Sequence, residues 1–430
     1  MTENDTGNKE LFLKIDSLAY GPYGVGRERE RVIFVPLTAP GDELEVRIVE
    51  ERKNYSVGEI SRLVKPSPLR QPPPCPYFGE CGGCQWQQVR YETQLAAKEK
   101  NLQDALHRIG KLTGYELLPI LRSPQEHHYR RRLRLHVDEN KSVGFYRSSS
   151  HSIIEVDTCL IADPEVDRHL SEVRGLIRDL RTHIEQIELV KDDESGLVVL
   201  TGKAAGGFFP DDDSICNSFL EQQKEIGGLV IFGNGWRKIW GKGTIFTRSD
   251  DELKLEMDVE VFSQVNREGN SRLVRELLQW GEFKKQDRVL ELYCGAGNFT
   301  LPMARRSRKV VAIEGDPLSV KCNKKNSRTN QIENIHWIRS HVPEAVKQLE
   351  LKGEKFSKIV LNPPRSGAKG LEENLTSLGA EKILYISCNP PTLARDLAAL
   401  SKKGYRLTRI QPIDLFPQTY HVEALAEMVR

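Results

Sequence analysis

Three sets of side chains in this 430-residue sequence are equipped for chemistry. The first is Cys75-x5-Cys81-x2-Cys84, with Cys159 far downstream. Structural zinc usually draws its ligands from two close cysteine pairs. Three close thiolates and a distant fourth suit an all-cysteine [4Fe–4S] cluster better. Gly82-Gly83 lets the backbone wrap such a site, with Tyr77 and Trp86 near enough in sequence to shield it. The second set is Glu291-Leu292-Tyr293-Cys294-Gly295-Ala296-Gly297-Asn298-Phe299, a strand end, a glycine turn and a helix start. Such a turn admits a ligand close to the backbone, and Glu314, ending the next strand, is placed for the two hydroxyls of a ribose. Thr300 stands where a dinucleotide fingerprint wants a third glycine, so the turn predicts a nucleoside cofactor without saying which. The third is Cys388, closing a strand just before Pro390-Pro391-Thr392-Leu393-Ala394-Arg395 opens a helix. A helix N-terminus draws a thiol below its free pKa of about 8.5 and makes it a nucleophile. Taken alone, a cysteine at a strand end is more often inert.

These residues imply a frame. From about 285 onward, strands expected over 288–293, 309–314, 358–361 and 382–387 alternate with helices, which predicts a doubly wound, Rossmann-like α/β domain over 261–430. Before it, 66–260 reads as an α+β domain carrying the cysteine site. It has helical spacing over 92–109 and 165–183, and strands over 129–137 and 142–146. Residues 5–65 hold four short β runs punctuated by Gly21, Gly24, Gly26 and Gly41, and suit a small OB-like barrel, a common platform for single-stranded nucleic acid. Six prolines between Pro66 and Pro76 make the joint behind it stiff. Arg130, Arg132 and Arg134 share one face if their segment is a strand. That face is either simply solvated or, beside an RNA-binding barrel, a phosphate contact.

Composition narrows the class. At roughly 100–200 residues per domain, the length predicts two to four domains. Hydrophobic residues make up 38% and charged ones 29%, which fits a globular chain with a sizeable core. A net charge of +2 means that a nucleic-acid partner must meet local basic surface. No stretch approaches the roughly 18 apolar residues of a membrane helix, and the polar start excludes a signal peptide. The expectation is a cytoplasmic monomer with no membrane partner. Eight cysteines are too few for a disulfide scaffold, and Cys216, Cys294 and Cys322 are left without a role.

Longer motifs carry a resemblance. Leu18-Ala19-Tyr20-Gly21-Pro22-Tyr23-Gly24-Val25-Gly26-Arg27, Phe34-Val35-Pro36 and Pro40-Gly41-Asp42 resemble a TRAM domain, an RNA-binding barrel appended to RNA-modifying enzymes. Phe262-Ser263-Gln264-Val265-Asn266, Asn362-Pro363-Pro364-Arg365, the run 387–396 and His421-Val422-Glu423, taken with the glycine turn, resemble the RNA 5-methyluridine methyltransferase family in its TRAM-bearing, iron–sulfur branch. Most of the chain is covered, and the bacterial 23S rRNA uracil-C5 enzymes are the nearest likeness. The resemblance implies S-adenosylmethionine held by Gln264, Tyr293, Asn298, Glu314 and Asn362, with Cys388 as nucleophile and Glu423 as base. It also implies a [4Fe–4S] cluster on Cys75, Cys81, Cys84 and Cys159. The substrate would be RNA, with rRNA favoured by the barrel and tRNA the alternative.

Uracil chemistry explains such a set. C5 of uracil is a poor nucleophile until a thiolate adds across the C5=C6 bond. C5 then takes the methyl group, a base removes the C5 proton, and elimination frees the cysteine. The target base must leave its stack, so a loop uridine is expected. His421 would orient Glu423 or meet the substrate, and Gln418, Thr419 and Tyr420 would read the base edge. Two residues depart from the family. Asn362 replaces the usual aspartate, keeping shape and losing charge, and His341 stands where an acid or amide commonly meets adenine. The asparagine admits a rival, an exocyclic-amine methyltransferase, but Arg365 occupies its stacking position and Cys388 goes unexplained. RNA 5-methylcytosine enzymes place a second cysteine in the Pro-Pro region, and none is present here. The last alternative is an RNA-binding protein with a decayed cofactor pocket, against which Cys388 and Glu423 argue.

Overall fold

The computed structural model describes residues 10–248 and 253–430, so residues 5–9 of the expected barrel lie outside it. Burial alternates along Glu10–Leu18, Tyr23–Glu28, Arg31–Pro36 and Glu43–Glu51. With Tyr55–Lys65 they close into a five-stranded barrel around Leu13, Ile15, Ile33, Val35, Leu44 and Val46. A Cβ on Gly26 would stand 2.6 Å from the Lys14 carbonyl oxygen, beside the register slip between Ile15 and Ser17, so the first hairpin needs glycine there. Buried Asp42 fastens the barrel to the proline joint. It accepts from the Ser67 amide at 2.9 Å and from the Arg70 guanidinium at 2.9 Å.

Beyond the joint lies a seven-stranded sheet built from residues 132–241. Helices Leu170–Asp179 and Asp212–Gln222 cover one face through Val173, Leu176, Ile177 and Cys216. The helix expected over 165–183 is broken in two, because His169 leaves helical geometry between Pro164–Asp167 and Leu170–Asp179. The arginine row is not a uniform surface. Arg132 is buried and donates to the Val259 and Val261 carbonyls, binding the sheet to the chain that enters the last domain. Arg134 remains at the surface and pairs with Glu188 at 2.7 Å.

The third assembly is an eight-stranded sheet. Ile335–Arg339, Lys309–Glu314, Arg288–Leu292, Lys358–Leu361 and Lys382–Ser387 run parallel in that order. Glu423–Val429 follows antiparallel, then Arg406–Ile413 and finally Glu116–Leu117. Apart from the edge strand Ile335–Arg339, the parallel strands are near-continuous apolar runs because helices cover both faces. Residues 91–121 precede the central sheet in sequence yet pack here. Helix Tyr91–Arg108 sets Leu102, Ala105 and Leu106 against Leu393, Leu397 and Leu400. Among the described residues, no helix is long and apolar enough to cross a membrane.

That helix also carries a charge into the interior. Lys98 and Asp414 are both fully buried, with Nζ 2.7 Å from Oδ1. Lys98 donates to the Phe416 carbonyl at 3.0 Å, while Asp414 accepts from the Tyr91 hydroxyl at 2.9 Å and the Phe416 amide at 3.0 Å. One turn before Lys98, Gln94 donates to the Gln418 side chain and accepts from its backbone, both at 3.0 Å. Loop 414–421 is thereby fixed on its inner side. Lys98→Met leaves a buried carboxylate without its cation and should cost about 3–5 kcal/mol in urea unfolding. Adding Asp414→Leu should recover most of that loss.

Candidate active site

The register of two strands brings two of the expected site residues together. Ser387 pairs with Ala424 across an antiparallel ladder. One step further along that register, Cys388 faces Glu423, and opposite residues of such a ladder point their side chains to the same side. Glu423 is buried at 3% exposure, and burial pushes its carboxyl up to about 8 against the opposing pull of Arg365. Cys388 is half-buried. Burial first, then the Glu423 charge, raises its thiol above the ordinary value, while Arg365 opposes both by charge and by a hydrogen bond. This overturns the expected lowering by the helix N-terminus. Helix Pro390–Lys402 opens on prolines, and its Thr392 amide is taken by the Asn389 side chain, so few donors are left for a thiolate.

Arg365 is held by its main chain. Its carbonyl accepts from Asn389 Nδ2 at 3.3 Å and Thr392 Oγ1 at 3.1 Å. Buried Asp396 pins the same loop through the Ala368 amide at 2.7 Å. His421 meets Arg365 Nη2 through Nε2 at 3.4 Å, and burial lowers its pKa to about 4, so it is neutral at physiological pH. Tyr420 packs on His421 with ring centroids 4.2 Å apart. Gln418, expected to read a base edge, is instead fully buried and spent on Gln94. Thr419 closes a turn onto the Phe416 carbonyl at 2.8 Å. Sequence reasoning missed Tyr20 of the barrel, whose hydroxyl donates to the Cys388 carbonyl at 3.1 Å. Nothing local in the sequence signals a contact 368 positions apart.

The glycine turn lies at the carboxyl ends of Arg288–Leu292 and Lys358–Leu361, where strand order reverses and α/β sheets bind ligands. Tyr293, Gly295 and Gly297 all have left-handed φ, at 60°, 52° and 89°. A Cβ on Gly297 would lie 2.4 Å from Asn323 Oδ1, whereas one on Gly295 would meet nothing within 4 Å, leaving open space above the turn. Glu314 braces the turn by accepting from the Gly295 amide at 2.8 Å and the Gly315 amide at 2.8 Å. Asn298 is locked to Asn270 by reciprocal 2.9 Å bonds. Asn362, half-buried, follows the neighbouring strand, its amide 3.4 Å from the Leu292 carbonyl oxygen. Gln264 lies half-buried two residues before Asn266, the N-cap of the helix that bears Asn270. His341 is exposed and 3.9 Å from Glu344.

Cys75, Cys81, Cys84 and Cys159 line one cavity of about 380 Å³ between the central sheet and loop 416–421. Phe416, Thr419, Tyr420 and His421 form its other wall. Burial pushes the Cys84 and Cys159 thiols up to about 12, with neighbouring cysteine charges adding to it. Among the described residues, no three or more His, Cys, Asp or Glu side chains converge closely enough to hold a metal ion. Tyr77 lines the cavity as expected. Trp86 does not. It packs with Leu18, Ala39 and Val89 between barrel and catalytic loop.

The family described as tRNA (uracil-5-)-methyltransferase matches residues 244–428. The 23S rRNA (uracil(1939)-C(5))-methyltransferase RlmD of Pectobacterium atrosepticum is 33% identical over 97% of this chain and 93% of its own. An uncharacterized RNA methyltransferase of Synechocystis is 34% identical over 96% of this chain and 94% of its own. A Pyrococcus abyssi tRNA (uracil-54, C5)-methyltransferase, solved with S-adenosyl-L-homocysteine, shares the fold at a TM-score of 0.75 and 24% identity, covering 97% of this chain and 100% of its own. Fold and relatives define an RNA methyltransferase of the S-adenosylmethionine-dependent class. Within that class, the chain belongs to the RNA (uracil-C5-)-methyltransferase family.

The electrostatics of the pair can be read directly. Alkylation of Cys388 by iodoacetamide, followed by peptide mass spectrometry across pH, reports its thiolate. Glu423→Gln removes a neighbouring negative charge and should move the midpoint down. Arg365→Gln removes the opposing cation and should move it up.

Proposed function

We propose that this protein methylates C5 of a uridine in 23S rRNA through a covalent adduct with Cys388. The observation that carries the reading is the Cys388–Glu423 pair, opposed along the strand register with Arg365 close by. The open space above Gly295, the braced Glu314 and the half-buried Asn362 fit a nucleoside cofactor. When bound, S-adenosylmethionine supplies the methyl group as an electrophilic sulfonium substituent. Cys388 Sγ loses its proton to solvent, with Arg365 stabilising the thiolate, and adds to uracil C6. C5 gains the electron density to take the methyl group. Glu423 then removes the C5 proton, the C6–S bond breaks, and the thiolate returns. Its burial suits the carboxylate to accept a proton near neutral pH. Full-length relation to 23S rRNA enzymes supports rRNA over tRNA.

The cysteine cavity fits a [4Fe–4S] cluster better than zinc. Three close thiolates and a distant fourth, all lining one cavity, depart from the two close pairs of a structural zinc site. A cluster spreads its thiolates over separate irons. Cys75, Cys81, Cys84 and Cys159 would hold it, and the positive charge it supplies would offset the thiolates that burial disfavours at Cys81, Cys84 and Cys159. Its work would be structural, joining residues 75–84 to the central sheet and backing loop 416–421.

Labelled S-adenosylmethionine with unmodified rRNA and unmodified tRNA should leave label in 5-methyluridine of rRNA. Cys388→Ala should abolish it. Glu423→Gln should slow turnover about 100-fold or more while still trapping the RNA adduct. Wild-type kcat/KM should rise with pH through about 8 as Glu423 loses its proton and keep rising beyond it as the Cys388 thiol ionises. Label in a methylated adenine or guanine would instead support amine chemistry at Asn362. Anaerobically purified protein should contain about four irons and four sulfides per chain, consistent with four cysteine ligands. One zinc and no iron would overturn the cluster.

A further inference from the structure

We infer that Tyr20, a residue of the barrel, is a positioning residue for the Cys388 nucleophile, which makes the barrel part of the catalytic apparatus. The inference rests on the proposed role of Cys388. Tyr20 sits in the turn between Glu10–Leu18 and Tyr23–Glu28, which the Ala19 amide closes onto the Tyr23 carbonyl at 2.9 Å. Its hydroxyl donates to the Cys388 carbonyl at 3.1 Å. That carbonyl lies beyond the last registered pair of its strand, so the ladder no longer dictates its peptide plane. Orientation of this plane decides where the thiol points.

Further contacts close a circuit around the sulfur. The Tyr20 ring stands edge-on to Tyr420, centroids 5.5 Å apart and planes at 87°. Tyr420 packs on His421, His421 meets Arg365, and Arg365 reaches the Cys388 thiol. Leu18, Ala39, Trp86 and Val89, with Tyr420 against them, press the barrel onto the catalytic loop, so Tyr20 does not arrive by chance on a swinging arm. Burial and the nearby thiolate raise the Tyr20 hydroxyl far above its usual range, so it stays a donor at every working pH. Tyr20 therefore holds the peptide of the nucleophile from one side while Arg365 holds its sulfur from the other.

Two full-length variants separate this role from general barrel packing. Tyr20→Phe removes only the hydroxyl. Tyr23→Phe removes a hydroxyl from the neighbouring strand, away from the site. Tyr20→Phe should lower kcat about three- to tenfold with KM for RNA unchanged, the effect of one lost hydrogen bond. In the enzyme alone, it should speed iodoacetamide alkylation of Cys388 several-fold, because a freed peptide lets the thiol swing toward water. Tyr23→Phe should do neither. A raised KM with kcat and alkylation unchanged would make Tyr20 an RNA contact and overturn the inference. Equal effects of the two variants would also overturn it. The alkylation arm needs neither RNA nor S-adenosylmethionine, so it tests Tyr20 even if the uridine assay fails.

Discussion

The buried ion pair between Lys98 and Asp414 holds the site together. Neither charge meets water, so each must be satisfied by the other and by the Tyr91 hydroxyl, the Phe416 carbonyl and the Phe416 amide. A pair of this kind adds little net stability over an apolar substitute, but its geometry leaves few alternatives. It dictates where loop 414–421 runs, and that loop carries His421 and Tyr420 past Cys388 and Arg365. With Gln94 on Gln418, the helix before the central sheet fixes the last catalytic turn of the chain.

The reacting centre is correspondingly guarded. Burial holds protons on both Cys388 and Glu423 until something changes their surroundings, and Arg365 is the nearby cation that favours both charged forms. An unliganded enzyme with a permanently exposed thiolate would be open to oxidation and alkylation. Burial in this arrangement keeps the Cys388 sulfur quiet. The exposed Arg365 side chain, which meets both His421 and the Cys388 thiol, ties that sulfur to the loop that carries His421.

Local patterns made the frame legible. Strands expected over 309–314, 358–361 and 382–387 match the observed elements, because buried parallel strands announce themselves as apolar runs. The glycine turn and the four cysteines were legible for the same reason, since spacing is itself the signal. Contacts fixed by long-range register were not. The facing of Cys388 and Glu423, the burial of Arg132, the displacement of Trp86 and the reach of Tyr20 all depend on which strands and helices become neighbours. The thiol pKa was misjudged because a helix start was read as a row of free donors. Its opening prolines and the Asn389 cap leave that row nearly empty.

The wiring of helix Tyr91–Arg108 bears on how the chain is made. Lys98 emerges from the ribosome 316 residues before Asp414, and its stripe of Leu102 and Leu106 before the sheet that covers it. At about 5–20 residues per second, that interval lasts about 15–60 s. During it, a helix with one apolar face and a lysine destined for the interior has no partner. Barrel and central sheet are complete long before translation ends, so the nascent protein carries an open seam until its final strands appear. Slower translation between these two points lengthens the time for which that seam stays open.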